Sequence, residues 1–241
     1  TLAAQQTGTV NYTITATNSG GSATTTVTLI YNTAPTNISL SANTVAENAA
    51  SGTTVGTLSA TDADAGDTFT YTLVSGTGST DNASFTITGS TLKTVDVFDF
   101  ETKTSYSVRV RVTDAGGLSF EKVLTVSVTN VNEAPTNISA TASAVAENAA
   151  SGTSVATMSA TDVDAGDTFT YTLVSGTGDA DNASFTIDGA TLKTAGVFDF
   201  ETKSSYSVRV RVTDAAGLTY EKVFTISVTA VSYTHLRAHE T

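Results

Sequence analysis

Apolar and polar residues alternate along several stretches of the chain. In residues 106–112 one tyrosine and three valines alternate with serine and arginine, and residues 69–73 and 124–128 show the same alternation. A period of two is typical of a half-buried β-strand with one face in a core and one in water. No stretch shows the 3.6-residue period of a helix. The pattern therefore predicts an all-β fold.

The chain contains two nearly identical copies of one unit. Residues 34–39, Ala34-Pro35-Thr36-Asn37-Ile38-Ser39, recur at 134–139, and the same shift of 100 positions relates 98–101 to 198–201. Clusters of Gly, Asn and Asp separate the alternating stretches, so each copy is expected to form about seven short strands arranged as a Greek-key β-sandwich. The predicted tandem repeats are 34–133 and 134–231.

The two ends of the chain do not match the repeat. Residues 1–33 hold two alternating stretches around the turn sequence Asn18-Ser19-Gly20-Gly21, which predicts a β-hairpin. Because a lone hairpin is marginally stable, we interpret 1–33 as the last strands of a truncated domain. The stretch resembles the closing strands of bacterial Ig-like repeats, with Tyr12 as the corner tyrosine. Residues 232–241 break the repeat pattern, and we interpret them as a non-native tail.

The chain is acidic and has no cysteine. Its 23 acidic and 11 basic residues give a net charge of −12. This charge argues against nucleic acid or an anionic membrane as a partner, and no apolar run approaches the ~20 residues of a membrane span. Both His residues lie in the excluded tail, so the repeats lack the residues for thiol catalysis, His-dependent triads or His-bound zinc. We expect a non-enzymatic part of a longer protein.

The acidic residues concentrate in short motifs. Asp62 and Asp64 lie two positions apart, as do Asp99 and Glu101, so each pair projects to one side of an extended backbone. Carboxylates placed in this way repel each other, at a cost that grows with desolvation. For any single residue, a turn or strand-end role that serves solubility is the ordinary interpretation. The whole set favours a hard cation such as Ca²⁺, which takes about six to eight oxygen ligands.

Five motifs of the first unit and its connector, in order and spacing, resemble the cadherin repeat. They are Ala46-Glu47-Asn48, Ala60-Thr61-Asp62-Ala63-Asp64-Ala65-Gly66-Asp67, Asp99-Phe100-Glu101, Thr113-Asp114-Ala115-Gly116 and Asn130-Val131-Asn132-Glu133-Ala134-Pro135. The resemblance covers residues 34–231. It implies extracellular β-sandwich repeats with calcium bound between successive domains.

The resemblance also implies which residues bind the calcium. For a complete junction, the first repeat and the connector are expected to supply Glu47, Asp99, Glu101, Asn130, Asn132, Glu133 and the Val131 carbonyl. The second repeat is expected to supply Asp162, Asp164, Asp214 and a carbonyl near Asp167. An upper half-site would contain Asp62, Asp64 and Asp114, preceded by a connector, Tyr31-Asn32-Thr33, without a carboxylate. A lower half-site would contain Glu147, Asp199 and Glu201.

The connector departs from the family pattern, Asp-x-Asn-Asp-Asn-x-Pro. Asn130 stands where the family has its first Asp, Glu133 stands for the second, and one residue is missing before Ala134-Pro135. The shorter form resembles the bacterial version of the repeat. Loss of one charged ligand predicts weaker calcium binding, and the number of ions per junction stays open.

Three functions are compatible with these features. The leading hypothesis is a calcium-rigidified repeat module of a large bacterial adhesin, secreted or anchored at the cell surface. Its expected partners are calcium, neighbouring repeats of the same chain, and other cell-surface proteins or glycans. The alternatives are a passive stalk that presents another domain and a carbohydrate-binding module of a secreted enzyme. The absence of Trp disfavours the last of these.

Overall fold

The computed structural model describes residues 8–231. The predicted non-native tail, 232–241, and residues 1–7 lie outside the described residues. The chain divides into two compact units, and the division falls between Val131 and Asn132. Each unit is therefore described by itself.

The first unit begins with a β-hairpin. Strands β1 (Gly8–Asn18) and β2 (Gly21–Tyr31) are antiparallel, with Asn18 opposite Gly21. The turn is closed by the Gly20 amide, which donates a hydrogen bond to Asn18 Oδ1 at 2.9 Å. The alternating stretches therefore form the predicted hairpin, whereas its assignment to a truncated Ig-like domain stays a prediction.

The rest of the first unit, called repeat 1 here, is a sandwich of two four-stranded sheets. Its strands are β3 (Asn37–Leu40), β4 (Thr44–Ala46), β5 (Thr54–Thr61), β6 (Thr70–Leu73), β7 (Phe85–Thr88), β8 (Thr91–Thr94), β9 (Ser105–Thr113) and β10 (Ser119–Thr129). One sheet has the order β3-β5-β8-β7 and the other β4-β10-β9-β6, with only β4 and β10 parallel. The first edge strand changes sheet between Leu40 and Thr44, which gives eight strands where about seven were predicted.

The second unit, called repeat 2, has the same sheet order. Its strands are β11 (Asn137–Ala140), β12 (Ala144–Ala146), β13 (Ser154–Thr161), β14 (Thr170–Leu173), β15 (Phe185–Asp188), β16 (Thr191–Thr194), β17 (Ser205–Thr213) and β18 (Thr219–Thr229). The helical segments within residues 8–231 are two short 3₁₀ turns, Asn82–Ser84 and Asn182–Ser184. None of them is long or apolar enough to cross a membrane. The all-β prediction is confirmed.

The alternation along β9 builds the core of repeat 1. Val108, Val110 and Val112 are fully buried, whereas Arg109 and Arg111 face outward and pair with Glu121 on β10. Full burial of one such valine contributes at most about 1.5–3 kcal/mol, because the unfolded chain is itself partly collapsed. The same pattern in β17 buries Val208, Val210 and Val212.

A β-bulge in β5 places two consecutive residues in the core. The register between β5 and β8 shifts between Thr54 and Gly56, so that Val55 and Gly56 are both buried. A Cβ atom added to Gly56 would lie 2.5 Å from the Ala42 carbonyl oxygen and 3.1 Å from Leu40 Cδ1. Repeat 2 carries Ala156 at the equivalent position and Ala140 in place of the leucine.

We expect the substitution Gly56→Ala to destabilise repeat 1 by about 1–3 kcal/mol, because the added methyl group overpacks the bulge against backbone. Urea unfolding followed by residue-resolved hydrogen exchange measures the loss in each repeat. The matched change, Ala156→Gly, creates no clash but removes a buried methyl group, and it should cost about 1–2 kcal/mol through backbone entropy and lost apolar burial together. If Gly56→Ala is as stable as the wild type, the close approach of the Ala42 backbone to Gly56 is wrong.

Candidate metal centre

Three aspartates meet at one end of repeat 2 and form what we call the top cluster of repeat 2. Asp162 follows β13, Asp214 follows β17, and Asp167 lies in the loop between β13 and β14. One carboxylate oxygen from each residue lies within 4.8 Å of the others. Asp214 is only 5% exposed. Strands of both sheets therefore position one compact group of acidic oxygens.

The start of the second unit is hydrogen-bonded to this end of repeat 2. Asn132 Nδ2 donates to Asp214 Oδ2 at 2.9 Å, and the Glu133 amide donates to Asp164 Oδ2 at 2.7 Å. Burial opposes ionisation of Asp214, but hydrogen bonds from Asn132 and from the Leu218 and neighbouring amides lower its pKa. The carboxylates of this end therefore also anchor the connector.

Two carboxylate oxygens of the top cluster of repeat 2 are buried without a hydrogen-bond partner among the described residues. Asp162 Oδ2 and Asp167 Oδ2 accept no hydrogen bond from any residue within the described range 8–231. Burial raises the pKa of Asp167, and the neighbouring carboxylates of Asp214, Asp162 and Asp164 raise it further. A buried ionised oxygen without a partner is costly. A hard cation is the ligand that this oxygen-only donor set fits.

Repeat 1 holds an equivalent top cluster, formed by Asp62, Asp67 and Asp114. One carboxylate oxygen per residue lies within 4.8 Å of the others, and Asp114 is 6% exposed. Asp62 Oδ2 and Asp67 Oδ2 are again buried without a hydrogen-bond partner among the residues that the structure describes. The arrangement therefore occurs in both copies of the repeat.

The connector before repeat 1 is held in a related way. Asn32 Nδ2 donates to Asp114 Oδ2 at 3.0 Å. The Thr33 amide and hydroxyl both donate to Asp64 Oδ2, at 2.6 and 2.7 Å. The hydrogen bonds from the Thr33 hydroxyl and then its amide lower the pKa of Asp64. In both repeats, the aspartate two positions after the first cluster residue anchors the connector.

Asp67 was missed by the sequence interpretation, which assigned only a carbonyl near Asp167. The structure instead brings the Asp67 and Asp167 carboxylates into the clusters. The intervening Gly66 has φ 89°, and the Asp67 amide lies 3.4 Å from the Asp64 carbonyl oxygen. This turn folds the end of the loop back toward Asp62. The Asp-x-Asp-x-Gly-Asp spacing carried that signal, because glycine favours the left-handed backbone that such a turn requires.

The opposite end of repeat 1 is organised by Glu47, which is 2% exposed. Its Oε1 accepts a hydrogen bond from the Val131 amide and its Oε2 one from the Phe100 amide, both at 2.8 Å. An oxygen of Glu101 lies within 4.8 Å of one of Glu47. Asp99, also predicted here, accepts hydrogen bonds from the Thr102 hydroxyl and amide, which lower its pKa. Glu47 therefore fixes the chain as it leaves repeat 1.

The equivalent end of repeat 2 brings together all three residues of the predicted lower half-site. Glu147, Asp199 and Glu201 each contribute an oxygen within 4.8 Å of the others. Glu147 is 8% exposed and accepts hydrogen bonds from the Val231 amide at 2.6 Å and the Phe200 amide at 3.4 Å. We call this group the base cluster of repeat 2.

The connector residues of the predicted junction fall on both sides of the unit division. Asn130 and Val131 end the first unit, and Asn132 and Glu133 begin the second. The described contact of Val131 is made by its amide, whereas the sequence interpretation assigned a role to its carbonyl. Assembly of the two sides into one ion site stays a prediction.

The sheet order and the repeated carboxylate clusters define a class: tandem β-sandwich repeats with clustered acidic loops at their ends. The profile of the cadherin domain matches residues 42–129 and 141–229. The chain therefore belongs to the cadherin domain family. Cadherin domains are extracellular adhesion modules that bind calcium, and they are not enzymes. Cadherin repeats also interact with neighbouring repeats and with cadherin partners.

Individual relatives agree with this assignment. Human Protocadherin Fat 4 is 28% identical over 193 residues, which is 78% of this chain but only 4% of that protein. The human Protocadherin-24 EC1-2 structure is 20% identical with a TM-score of 0.64, covering 84% of this chain and all of that one. The mouse Cadherin-23 EC22-24 structure is 24% identical with a TM-score of 0.57, covering 90% of this chain and 73% of that one. At these identities the structures support the fold.

We expect Glu47→Gln to destabilise repeat 1 by about 1–3 kcal/mol in a metal chelator. Glu47 accepts hydrogen bonds from the Val131 and Phe100 amides, and the NH₂ group of Gln cannot accept, so one of these two buried donors loses its partner. Chemical unfolding in chelator measures the effect without any contribution from bound metal. Glu147→Gln is the matched change in repeat 2, and its loss should be smaller because the Phe200 contact is already long at 3.4 Å. If Glu47→Gln is as stable as the wild type, the two hydrogen bonds that Glu47 accepts do not contribute to stability.

Asp167→Asn should stabilise repeat 2 in chelator at neutral pH and reduce the stabilisation that calcium gives. The folded-state pKa of Asp167 is raised, so its ionised form lowers stability above that pKa, and the penalty fades as pH falls through it. Thermal unfolding with chelator and with calcium measures both effects. Asp188→Asn, at an exposed surface pair with Lys193, is the control and should change little. If Asp167→Asn is less stable than the wild type in chelator, the inferred repulsion between Asp167 and its neighbouring carboxylates is wrong.

Proposed function

We propose that this chain is a calcium-dependent extracellular adhesion module from a bacterial surface or secreted adhesin. One observation supports this proposal most directly: each top cluster contains two buried carboxylate oxygens that have no hydrogen-bond partner among the described residues. They belong to Asp62 and Asp67 in repeat 1 and to Asp162 and Asp167 in repeat 2. Calcium ions at these oxygens, and at the Glu47–Glu101 pair and the base cluster of repeat 2, would remove the uncompensated charge.

The donor chemistry favours calcium over other metals. The clusters offer carboxylates, and neither Cys nor His occurs in residues 34–231, so soft and nitrogen-preferring metals lack their usual ligands. Magnesium requires a near-ideal octahedron and keeps several waters, whereas calcium accepts irregular sets of oxygens. Clusters built from strand ends and one connecting loop suit the less demanding ion.

Calcium at these clusters would act where the chain enters and leaves each repeat. The Asn32 and Asn132 side chains and the Thr33 and Glu133 amides are already held by cluster aspartates or their neighbours. The Val131 and Val231 amides are held by Glu47 and Glu147. Repeats joined by a short connector reorient freely by default. We therefore propose that bound calcium restricts this motion and stiffens the array.

The bacterial origin and the surface context rest on sequence features. The short connector ending in Ala134-Pro135 resembles the bacterial form of the repeat, and the hairpin before repeat 1 resembles bacterial Ig-like strands. Fat 4, the curated relative described above, is human, and the chain spans only a small part of its length. The adhesive partner is a surface protein or glycan in this proposal, and a passive stalk is the outcome if no such partner is found.

We expect calcium to raise the stability of the full chain by about 1.4–2.7 kcal/mol per site when it is present at ten to a hundred times its Kd. Titration calorimetry and thermal unfolding measure binding and stabilisation. Asp62→Asn and Asp162→Asn are the sharpest variants, because Asn Oδ1 can keep the hydrogen bond to the residue 64 or 164 amide. Each should lose calcium affinity without unfolding, whereas Asp188→Asn should bind as the wild type does.

Two further measurements separate stiffening from adhesion. Small-angle scattering with and without calcium should show a narrower range of inter-repeat orientations in calcium. Beads coated with the full chain should then bind cells or each other only in calcium if the module is adhesive. Stiffening without bead binding leaves the stalk function, and an orientation range indifferent to calcium contradicts the proposal.

A further inference from the structure

We infer that strand β10 carries a self-association surface, in which its unpaired edge at residues 120–126 pairs antiparallel with the same edge of a second copy of this chain. Strand β18 repeats this edge at residues 220–226. The inference concerns the side of each sandwich and does not depend on calcium. It therefore goes beyond the proposed function and is tested independently of it.

Each long strand of repeat 1 has a short edge neighbour that covers only part of its length. Strand β6 pairs with residues 110–113 of β9, and β4 pairs with residues 127–129 of β10. The preceding residues of β10, 119–126, lie beside no strand other than β9 within the described part of the chain. Two stretches of strand edge are therefore left by the short neighbours.

The stretch that β6 leaves on β9 is covered by side chains. Asp81 Oδ2 accepts a hydrogen bond from the Ser107 amide at 2.7 Å. Asn82 Oδ1 accepts one from the Arg109 amide at 2.9 Å. Side-chain oxygens thus replace the carbonyl groups of a missing strand, and repeat 2 has the same two contacts. An edge protected in this way is not available to another strand.

The stretch that β4 leaves on β10 has no such cover. The Ser127 amide donates a hydrogen bond to the Asn43 carbonyl oxygen on the β4 side, at 2.8 Å. Backbone groups of alternate residues in an antiparallel strand point to the same side, so those of Glu121, Val123 and Thr125 face this open edge as well. No strand or side chain among residues 8–231 pairs with them on that side.

The one lysine of this edge leaves its backbone accessible. Charged side chains at an edge often prevent strand pairing, but Lys122 is turned toward the other sheet. Its Nζ donates to Asn37 Oδ1 and to the Ile38 carbonyl oxygen on β3, both at 2.8 Å. Lys122 therefore covers the edge of β3 and does not cover the edge of β10.

The sequence of the open edge suits a twofold pairing with itself. In an antiparallel register centred on Val123, Glu121 lies opposite Thr125 of the second copy, and Lys122 lies opposite Leu124 of the second copy. Like charges directly opposite each other would destabilise the pair, and this register contains none. The pairing ends where β4 begins, so each copy fills the stretch that the other leaves open.

The surroundings of the edge favour a second copy as its occupant. Val123 is 41% exposed, and the pairing places it against Val123 of the second copy. A groove beside the edge is lined by Ile38, Leu40 and Leu124, and it can receive the inward-facing side chains of an added strand. Residues 119–127 contain one acidic and one basic residue, so the edge is neutral in a chain of net charge −12. Two copies therefore meet here without strong repulsion.

The experiment is sedimentation velocity of the full chain in a metal chelator, at concentrations up to about 1 mM, because a contact of one strand pair is small and weak. We expect reversible dimers, and larger assemblies at the highest concentrations because each chain carries two such edges. Residue-resolved hydrogen exchange should show the Val123 and Thr125 amides becoming protected as the protein concentration rises. The equivalent amides of β18 should behave in the same way.

Charges placed at the centre of the pairing test its register. Val123→Lys with Val223→Lys puts two lysines opposite each other, and Val123→Glu with Val223→Glu puts two glutamates there. Each repulsive pair should weaken association by about two- to fivefold. An equimolar mixture of the two variants should recover it, because lysine then meets glutamate. Recovery in the mixture cannot come from misfolded protein.

A proline variant tests the backbone hydrogen bonds. Thr125→Pro with Thr225→Pro removes one outward N–H from each open edge, a position where a strand tolerates proline. Association should weaken by about tenfold, because each twofold pair loses two hydrogen bonds. Thr125→Ala with Thr225→Ala keeps the N–H groups and should associate as the wild type does. The amide spectrum checks that each variant remains folded.

The outcomes distinguish this inference from the proposed function. A wild-type chain that stays monomeric up to about 1 mM overturns the inference, and so does a dimer that leaves the Val123 and Thr125 amides unprotected. A mixture of the lysine and glutamate variants that associates no better than either alone also overturns it, because the register is then wrong. Calcium binding by a chain that stays monomeric leaves the proposed function standing.

Discussion

Packing between the two sheets of each sandwich forces like-charged carboxylates together. In repeat 1, Asp62 follows β5 in one sheet and Asp114 follows β9 in the other, so the spacing between the sheets fixes the spacing between the carboxylates. The fully buried Ile38, Val110 and Val112 hold the two sheets against each other. Repulsion among the aspartates cannot be relieved by separating the strands without exposing that core. The hydrophobic core therefore keeps an electrostatically unfavourable acidic cluster in place.

The same carboxylates hold the connectors, so the proposed calcium ligands are also the residues that anchor the chain. Asp164 and Asp214 accept hydrogen bonds from Glu133 and Asn132, and Glu47 accepts one from Val131. A substitution that removes such a carboxylate removes an anchor as well as a ligand. Asp162 is a cleaner probe, because its buried Oδ2 has no hydrogen-bond partner among the described residues, whereas Asp62 Oδ1 also accepts a 3.3 Å hydrogen bond from the Thr33 hydroxyl of the connector. Binding and stability can therefore be separated at some cluster positions and not at others.

Local patterns and long-range geometry account for what the sequence could and could not predict. The alternation in 106–112 predicts β9 correctly, because which face of a strand is buried follows from a period of two. The sheet change between Leu40 and Thr44 and the bulge at Val55 and Gly56 depend on partners distant in sequence, so periodicity cannot show them. The contribution of Asp67 depends on a loop turning back, and the use of the Val131 amide depends on where Glu47 is buried. Motif spacing identifies the acidic residues, but only the folded chain shows which atoms meet.

The two repeats differ in two distinct ways, and the contrast indicates which differences concern function. Gly56 lies beside Leu40 in repeat 1, whereas Ala156 and Ala140 occupy these positions in repeat 2, so an added methyl accompanies a smaller neighbour. Such paired changes are expected where a core must keep its volume. The change from Thr33 to Glu133 has no such partner among the four aspartates and the asparagine around it, which are identical in both repeats. This difference in charge is therefore not a volume adjustment of the kind that relates Gly56 and Ala156.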